Sequence, residues 1–349
     1  MSGEKTWDDV IPLDRLTAWM DGQGLGRGPI GDAGLLAGGT QNFLLKFTRD
    51  GRDYVLRRPP RHLRGNSNET MRREARVLGA LKGSDVPHPG LIAACPQEDV
   101  IGAAFYLMEP IHGFNPSVEM PALHCSSPEM RRQMGFSLVD GIAALSKVDH
   151  VKAGLSDLGK LDGYIDRQVP RWLGQLESYR EFKEWPGPSE LPSVDGIVAW
   201  LEAHKPTTFK PGLIHGDYHL LNVLYRYDAP RLAAIVDWEL CTLGDPMLDL
   251  GWLYATWASP EEIAAGQTSV RPWDGFPAFE ELAERYAEST GRSLKDVKWF
   301  SVLGCFKLGA ILEGSHARAC AGKAPKEIGD RLHASTIRLF NRALNLIAA

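Results

Sequence analysis

Apolar and polar positions first alternate with a period of two. Asn42-Phe43-Leu44-Leu45-Lys46-Phe47-Thr48 and Arg52-Asp53-Tyr54-Val55-Leu56-Arg57 read as strands joined through Arg49-Asp50-Gly51, because Asp-Gly tolerates the positive φ of a tight hairpin. A period near 3.6 comes next. Met71, Ala75, Leu78 and Leu81 form one stripe, and the Asn66-Ser67-Asn68 cluster before them can cap the helix start. Further strands are expected at 90–95 and 103–108, separated by a polar turn at 96–99. Beyond Pro110 and Gly113 the pattern becomes helical. Ser127 as N-cap and Pro128 in the first turn open a helix whose apolar stripe is Met134, Leu138, Ile142 and Leu145.

A second hairpin-like pair, Val223-Leu224-Tyr225 and Leu232-Ala233-Ala234-Ile235-Val236, interrupts the helices, and Trp185-Pro186-Gly187-Pro188 marks a loop. Helices return to the end, with Ile328, Leu332, Ile337, Leu344 and Ile347 as expected core contacts. The chain thus reads as an α+β protein. A small β lobe, residues 1–109, carries one main helix, and a larger, mostly helical lobe spans 110–349.

Charge narrows the partners. With Lys+Arg 39 against Asp+Glu 44, the net charge of −5 offers no broadly basic surface to a nucleic-acid backbone. The five cysteines are scattered, odd in number and never in a C-x-x-C pair, so neither a disulfide framework nor a thiolate zinc site is indicated and a cytoplasmic protein is expected. Acids stand at Glu4, Asp8 and Asp9 where a signal peptide would be apolar, and no apolar run reaches the roughly eighteen residues of a membrane span, so no membrane association is expected.

The chemistry concentrates in Leu213-Ile214-His215-Gly216-Asp217-Tyr218-His219-Leu220-Leu221-Asn222-Val223, followed by Ile235-Val236-Asp237-Trp238-Glu239. Polar groups sit here between apolar runs, where burial is costly unless partners or cations compensate. Singly, Asp217 or Asn222 would serve as a loop brace and Asp237 as a turn cap. Together they match phosphoryl transfer, which needs a carboxylate for the hydroxyl proton, an amide oxygen five positions on for Mg²⁺, and a second carboxylate for the same metal.

These stretches resemble the aminoglycoside phosphotransferase and choline kinase group of small-molecule kinases, which share the protein-kinase fold. The group's H-G-D-x-x-x-x-N matches His215, Gly216, Asp217 and Asn222, and its I-D-W-E matches Val236, Asp237, Trp238 and Glu239. The resemblance implies a two-lobed kinase-like fold and transfer of the γ-phosphoryl of ATP, with GTP an alternative donor, to a hydroxyl of a small molecule. It makes Asp217 the catalytic base, Asn222 and Asp237 the Mg²⁺ ligands, and His215 an ordering residue. Gly244-Asp245-Pro246-Met247-Leu248-Asp249-Leu250 resembles the group's G-D-P-x-x-D-L, whose acids brace the catalytic loop.

The same fold requires a phosphate-covering turn, a cation on a strand and an acid on the helix behind it. Gly38, Gly39 and Thr40 precede the first hairpin where backbone amides could meet phosphates, whereas Gly22-Gln23-Gly24-Leu25-Gly26-Arg27-Gly28 misses the last glycine of G-x-G-x-x-G and reads as a loop. Strand alternation puts Val55 and Arg57 on one face, and helical spacing puts Glu74 on the inward stripe, where a carboxylate requires a cation. Arg57 and Glu74 are the expected pair, with Arg58 and Arg61 as competitors. Most kinases of this type carry Lys there, and choline-kinase-like members can carry Arg. Tyr106-Leu107-Met108-Glu109-Pro110-Ile111 matches the segment linking the lobes, in which the backbones of Glu109 and Ile111 would meet adenine. Asp53-Tyr54-Val55-Leu56-Arg57-Arg58-Pro59-Pro60 resembles the subgroup fused in some eukaryotic proteins to an acyl-CoA dehydrogenase-like domain, which points to a hydroxyacyl-type acceptor beside the aminoglycosides and amino alcohols of the wider group.

Two other classes remain open on the sequence. His215, Asp217 and His219 fall at alternate positions, which on an extended segment would face one metal as in a hydrolase, and the Arg for Lys exchange admits a nucleotide-binding protein without turnover. The other histidines, including His124, His316 and His333, lack spacing that suggests a site and are expected at surfaces or helix ends. Trp252, Trp257, Trp273 and Trp299 are expected in the core, with some free to line an acceptor pocket, and the seven acids between 261 and 288 on an exposed helical face. Oligomeric state leaves no mark.

Overall fold

The alternating stretches become one antiparallel sheet. In the computed structural model, which describes residues 7–36, 42–63 and 65–349, β1 (Gly31–Leu35), β2 (Phe43–Arg49), β3 (Arg52–Arg58), β4 (Leu91–Cys95) and β5 (Phe105–Met108) pair in the order β1-β2-β3-β5-β4. Asp50 and Gly51, at φ 52° and 72°, turn β2 into β3. The pleat then sorts the side chains. Leu45, Phe47, Tyr54, Leu56, Phe105 and Leu107 pack on one face against Leu16 and Met20 of α1 (Leu13–Gly22). Arg57, flanked by Leu44 and Tyr106 in register, takes the other. β1 is not evident in the pattern, because Gly31-Asp32-Ala33-Gly34-Leu35 lacks the branched residues that mark strands, while α1 adds a short stripe of Leu13, Leu16, Trp19 and Met20 beyond the elements expected above.

On the Arg57 face lies α2 (Ser67–Ala80), with Met71, Glu74, Ala75 and Leu78 buried as the periodicity expects. Asn66 precedes it but its side chain makes no capping bond. The Asn68 carboxamide instead accepts from the Ala104 N–H at 3.0 Å and ties α2 to the approach of β5. Arg73 reaches out of the lobe, donating to the carbonyls of Leu158 and Cys241 at 3.0 and 2.6 Å.

After β5 the chain is mostly helical. The helices are α3 (Ala122–Cys125), α4 (Pro128–Ser146), α5 (Tyr164–Ser178), α6 (Val194–Ala203), α7 (Met247–Thr256), α8 (Pro260–Ala264), α9 (Phe279–Thr290), α10 (Val297–Cys320) and α11 (Lys326–Ala348). Two small hairpins hold the loops of interest: β6 (Gly212–Ile214) with β9 (Thr242–Gly244), and β7 (Val223–Tyr225) with β8 (Leu232–Ile235). Ser127 caps α4 by accepting from the Met130 N–H at 3.2 Å, and its predicted stripe is buried. In α11 the inward stripe is Thr336, Leu339, Phe340 and Ala343, while Ile328 is exposed and Ile337, Leu344 and Ile347 are only partly buried. Ile337, Leu344 and Ile347 thus pack against the core as expected, whereas Ile328, in the first turn of α11, faces solvent.

At the centre of the helical part, α7 and α10 cross at unusually close range. A Cβ on Gly251 would stand 2.1 Å from the Phe300 carbonyl oxygen, and one on Gly304 2.3 Å from the Gly251 oxygen, so the two backbones touch where side chains normally keep helices about 8–10 Å apart. Gly251→Ala gains about 1 kcal/mol of helix propensity but must separate the helices. A net loss of about 1–3 kcal/mol in denaturant unfolding is expected, and a neutral or stabilised variant would contradict the contact.

Candidate functional site

A cleft of about 580 Å³ opens between the sheet and the helical part, lined among others by Arg57, Glu109, Ile111, Asp217, Asn222 and Asp237. The sequence-predicted residues that the structure describes are therefore brought together. Gly38, Gly39 and Thr40 lie outside the described residues, between Leu36 and Asn42, which both line the cleft.

The loop after β6 is built on buried polar supports. Asp249, at the start of α7, accepts from the N–H groups of His215 and Gly216 at 2.6 and 2.8 Å. The His215 ring is fully buried and Nε2 lies 3.0 Å from the Val236 carbonyl, which can only accept, so Nε2 carries the proton. Burial lowers the His215 pKa and keeps the ring neutral. Gly216 has φ 86°, and a Cβ there would stand 2.7 Å from the Leu240 carbonyl oxygen, so only glycine permits the turn that aims Asp217 into the cleft. Asp245, expected to brace this loop as well, goes elsewhere: it pairs with Arg292 at 2.6 Å and accepts from the Met247 N–H at the start of α7.

Three donors converge on Asp217. Trp252 Nε1 donates to Oδ1 at 3.0 Å, His219 Nε2 lies 3.2 Å from the same oxygen, and Asn222 Nδ2 donates to Oδ2 at 2.9 Å. Desolvation raises the carboxyl pKa, but His219, His215 and Asn222 outweigh it and bring it down to about 2. The group is an anchored anion at neutral pH. Asn222 Nδ2 also donates to the Asp217 carbonyl at 3.0 Å, which leaves the amide oxygen of Asn222 as its acceptor face.

Arg57 joins the two parts of the chain. Its Nη2 donates to Glu74 Oε1 at 3.1 Å and to Asp237 Oδ1 at 2.7 Å, while Nε sits 2.9 Å from Glu74 Oε2 outside good hydrogen-bond alignment. Tyr106, its neighbour in register, donates from its hydroxyl to Glu74 Oε2 at 2.7 Å. Desolvation works against the guanidinium charge, yet Glu74, Tyr106 and Asp237 together push its pKa above the ordinary value. Asp237 has φ 66°, a left-handed conformation that non-glycine residues hold at a cost of about 1–3 kcal/mol, and such strain gathers where side chains must be aimed. The competitors point elsewhere. Arg58 is buried on the opposite face, donating to the Val10 carbonyl, and Arg61 pairs with Asp9 at 3.0 Å.

In the linking segment, the Glu109 N–H donates to the Gly90 carbonyl at 2.8 Å, so only the carbonyl of Glu109 is left for a ligand. Ile111 has no such commitment among the described residues.

The set His215, Asp217 and His219 does not form a metal centre. The segment turns at Gly216 instead of running extended, the His215 ring is spent on Val236, and neither histidine belongs to a group of converging ligand atoms among the described residues. His124 is buried rather than superficial, edge-on to Phe114 at 4.7 Å, because the return of the chain from the second hairpin places the Ala229 carbonyl 3.2 Å from its Nε2.

Two residues escaped the sequence reading. Trp252 is in the core as expected, but its indole N–H faces Asp217. Lys307 lies buried in α10, donating from Nζ to the Gly216 carbonyl at 3.0 Å with its ammonium 4.2 Å from the Trp252 ring centre. Desolvation lowers its pKa to about 8. A single lysine inside the apolar run Val302-Leu303-Gly304-Cys305-Phe306-Lys307-Leu308 was the available signal, since lysine is almost never buried without a partner.

The fold and cleft are those of a small-molecule phosphotransferase. The sequence profile of the phosphotransferase enzyme family matches residues 33–285, and the chain belongs to that family. In structure it is similar to a protein of Ralstonia eutropha JMP134 named provisionally as an aminoglycoside phosphotransferase, at TM-score 0.76 and 29% identity, covering 95% of this chain and 98% of that one. It shares the fold of a Plasmodium vivax ethanolamine kinase, at TM-score 0.58 and 13% identity over 98% of this chain and 91% of that one. A thermostable mutant of aminoglycoside phosphotransferase APH(4)-Ia, solved in ternary complex with AMP-PNP and hygromycin B, aligns at TM-score 0.56 and 14% identity over 94% of this chain and 98% of that one. Among curated proteins it is 29% identical to acyl-CoA dehydrogenase family member 10 of Mus musculus, over 90% of this chain and 29% of that protein. It is 29% identical to acyl-CoA dehydrogenase family member 11 of Homo sapiens, over 83% and 36% respectively. The chain thus spans about a third of the length of these curated relatives, in keeping with the fused subgroup that the strand after the first turn resembles.

Glu74→Ala leaves the buried Arg57 guanidinium with Asp237 as its anionic partner, and a loss of about 2–4 kcal/mol in unfolding free energy is expected. A loss under about 1 kcal/mol would show that the pair carries little. Asp217 titrates at about 2 when folded against an ordinary 3.8, so its contribution to stability is present above 3.8 and fades as pH falls toward 2. The stability gap between wild type and Asp217→Asn should therefore close over that window in urea titrations.

Proposed function

We propose that the protein transfers the γ-phosphoryl group of ATP, with GTP as an alternative donor, to a hydroxyl of a small-molecule acceptor in a Mg²⁺-dependent reaction, the nucleotide lying between residues 1–109 and 110–349. The observation that carries this reading is the convergence of Asp217, Asn222, Asp237 and Arg57 on one cleft. In it, Arg57 steadies the α- and β-phosphates, and the backbones of Glu109 and Ile111 meet the base. Gly38, Gly39 and Thr40 contribute backbone amides to the phosphates.

The donor chemistry suits magnesium. Asn222 turns an amide oxygen free of its committed Nδ2, and Asp237 presents a carboxylate from a strained backbone, so both offer the hard oxygens that this ion prefers. Bound there, Mg²⁺ would supply neutralisation of the phosphate charge. The residues of the chain do the rest. Asp217 orients the acceptor hydroxyl and takes its proton as the new O–P bond forms and the bond from the γ-phosphorus to the bridging oxygen breaks. A carboxyl held at about 2 is a weak base, which suits a loose transition state in which the proton leaves late. Trp252 fixes the direction of that carboxylate, and the Lys307 ammonium over the indole face polarises the N–H that does so.

The acceptor class rests on the likeness to the fused acyl-CoA dehydrogenase relatives, which favours a hydroxyacyl-type acceptor. Lys307, with its ammonium 5.4 Å from the ring centre of Trp172, is not among the residues lining the cleft, whose own lining carries the acids Glu109, Asp217, Asp237 and Glu239.

ATP consumption measured against hydroxyacyl thioesters and their acids, aminoglycosides, choline and ethanolamine should be highest with the first group. Aminoglycoside turnover exceeding it would overturn the acceptor class, and ATP binding with no turnover on any member would favour a silent nucleotide binder. Asp217→Asn should keep the fold and nucleotide affinity while losing about 10²–10⁴-fold in kcat. Trp252→Phe, which removes one hydrogen bond to a charged group, should cost about 10–100-fold in kcat with little change in nucleotide KM. Near-normal kcat in either variant would defeat its assignment.

A further inference from the structure

Away from the cleft, the interface between α10 and α11 buries a second set of ionisable groups. Glu313, His316 and Cys320 follow one another on α10 at spacings of three and four, hence on one face, and Asp330 and His333 stand three apart on α11 opposite them. Glu313 is wholly buried, and no lysine or arginine pairs with it among the described residues. Its oxygens accept from Trp185 Nε1 at 2.7 Å and lie 2.9 and 3.1 Å from His333 Nδ1. The rings of His316 and His333 stack at 4.2 Å, and His316 Nδ1 is buried with no hydrogen-bond partner. Each of Glu313, His316 and His333 offers one ligand atom such that all three lie within 4.8 Å of one another.

We propose that Glu313, His316 and His333 bind one divalent transition-metal ion of the zinc type. Two imidazoles and a carboxylate are a donor set that zinc accepts and that magnesium or calcium would not select. Cys320 Sγ lies 3.5 Å from His316 Nε2 but stands outside the group of converging ligand atoms. With Nε2 turned to the ion, Nδ1 faces Asp330 Oδ1 at 3.8 Å, the outer carboxylate that metal-bound histidines commonly engage. A buried carboxylate and two stacked imidazoles form a costly arrangement for a core, and a cation among them relieves it.

Full-length protein without a histidine tag, stripped with chelator and titrated with zinc chloride, should bind one zinc per chain by calorimetry and elemental analysis, and its melting temperature should rise with added zinc. His316→Gln and His333→Gln should each weaken uptake by at least about 100-fold, with circular dichroism and nucleotide binding unchanged. No saturable uptake by the wild type overturns the site regardless of how the variants fold. Uptake that is equal in wild type and in a folded His316→Gln or His333→Gln variant overturns the ligand assignment.

Discussion

Everything in the cleft rests on one buried cation. Among the described residues the Arg57 guanidinium is the cation paired with Glu74, whose burial at 1% exposure pushes its carboxyl pKa up against the pull of Arg57, and the contact of Arg57 to Asp237 reaches across to the helical part of the chain. Desolvating the Arg57 and Glu74 pair is repaid only when its geometry is tight, so the strand, the helix behind it and the turn after β8 are held to one arrangement. Tyr106 completes the constraint, because its position opposite Arg57 in the sheet register is what lets its hydroxyl reach Glu74. Sheet register, helix rotation and the left-handed backbone at Asp237 are thus consequences of where one positive charge can be accommodated.

The second level of support lies in the α7 and α10 crossing. Because Gly251 and Gly304 let the helices touch, Trp252 and Lys307 arrive one after the other beneath Asp217, and Asp249 on the same α7 fixes the loop from the other side. The Asp217 carboxylate is therefore positioned by core packing, and the long α10 that does this also carries the Glu313 and His316 cluster toward its far end.

How much of this was legible differs by residue. The hairpin at Asp50-Gly51, the α4 cap at Ser127 and the inward face of Glu74 depend on local spacing, and local spacing is visible in a sequence. The cluster around Asp217 was visible because its members are close in the chain. What was hidden depended on long-range placement. Trp252 looked like any core tryptophan, since nothing local says which way an indole N–H will face. His316 and His333 stand on different helices and meet only because α11 folds back on α10. Asp245 and Asp249 share one motif yet part company, as the first turn of α7 directs one to Arg292 and the other to the loop. Exposed Ile328 illustrates the same limit, because in the first turn of a helix local spacing does not show whether a neighbour will cover the side chain.

Arginine at position 57 also settles a question of chemical durability. A lysine amine in a reaction cleft is a nucleophile, open to acylation by activated esters and to carbamylation, and either event would erase the charge that organises the site. A permanently protonated guanidinium has no comparable free electron pair. That inertness keeps the charge that organises the cleft beyond the reach of such reagents.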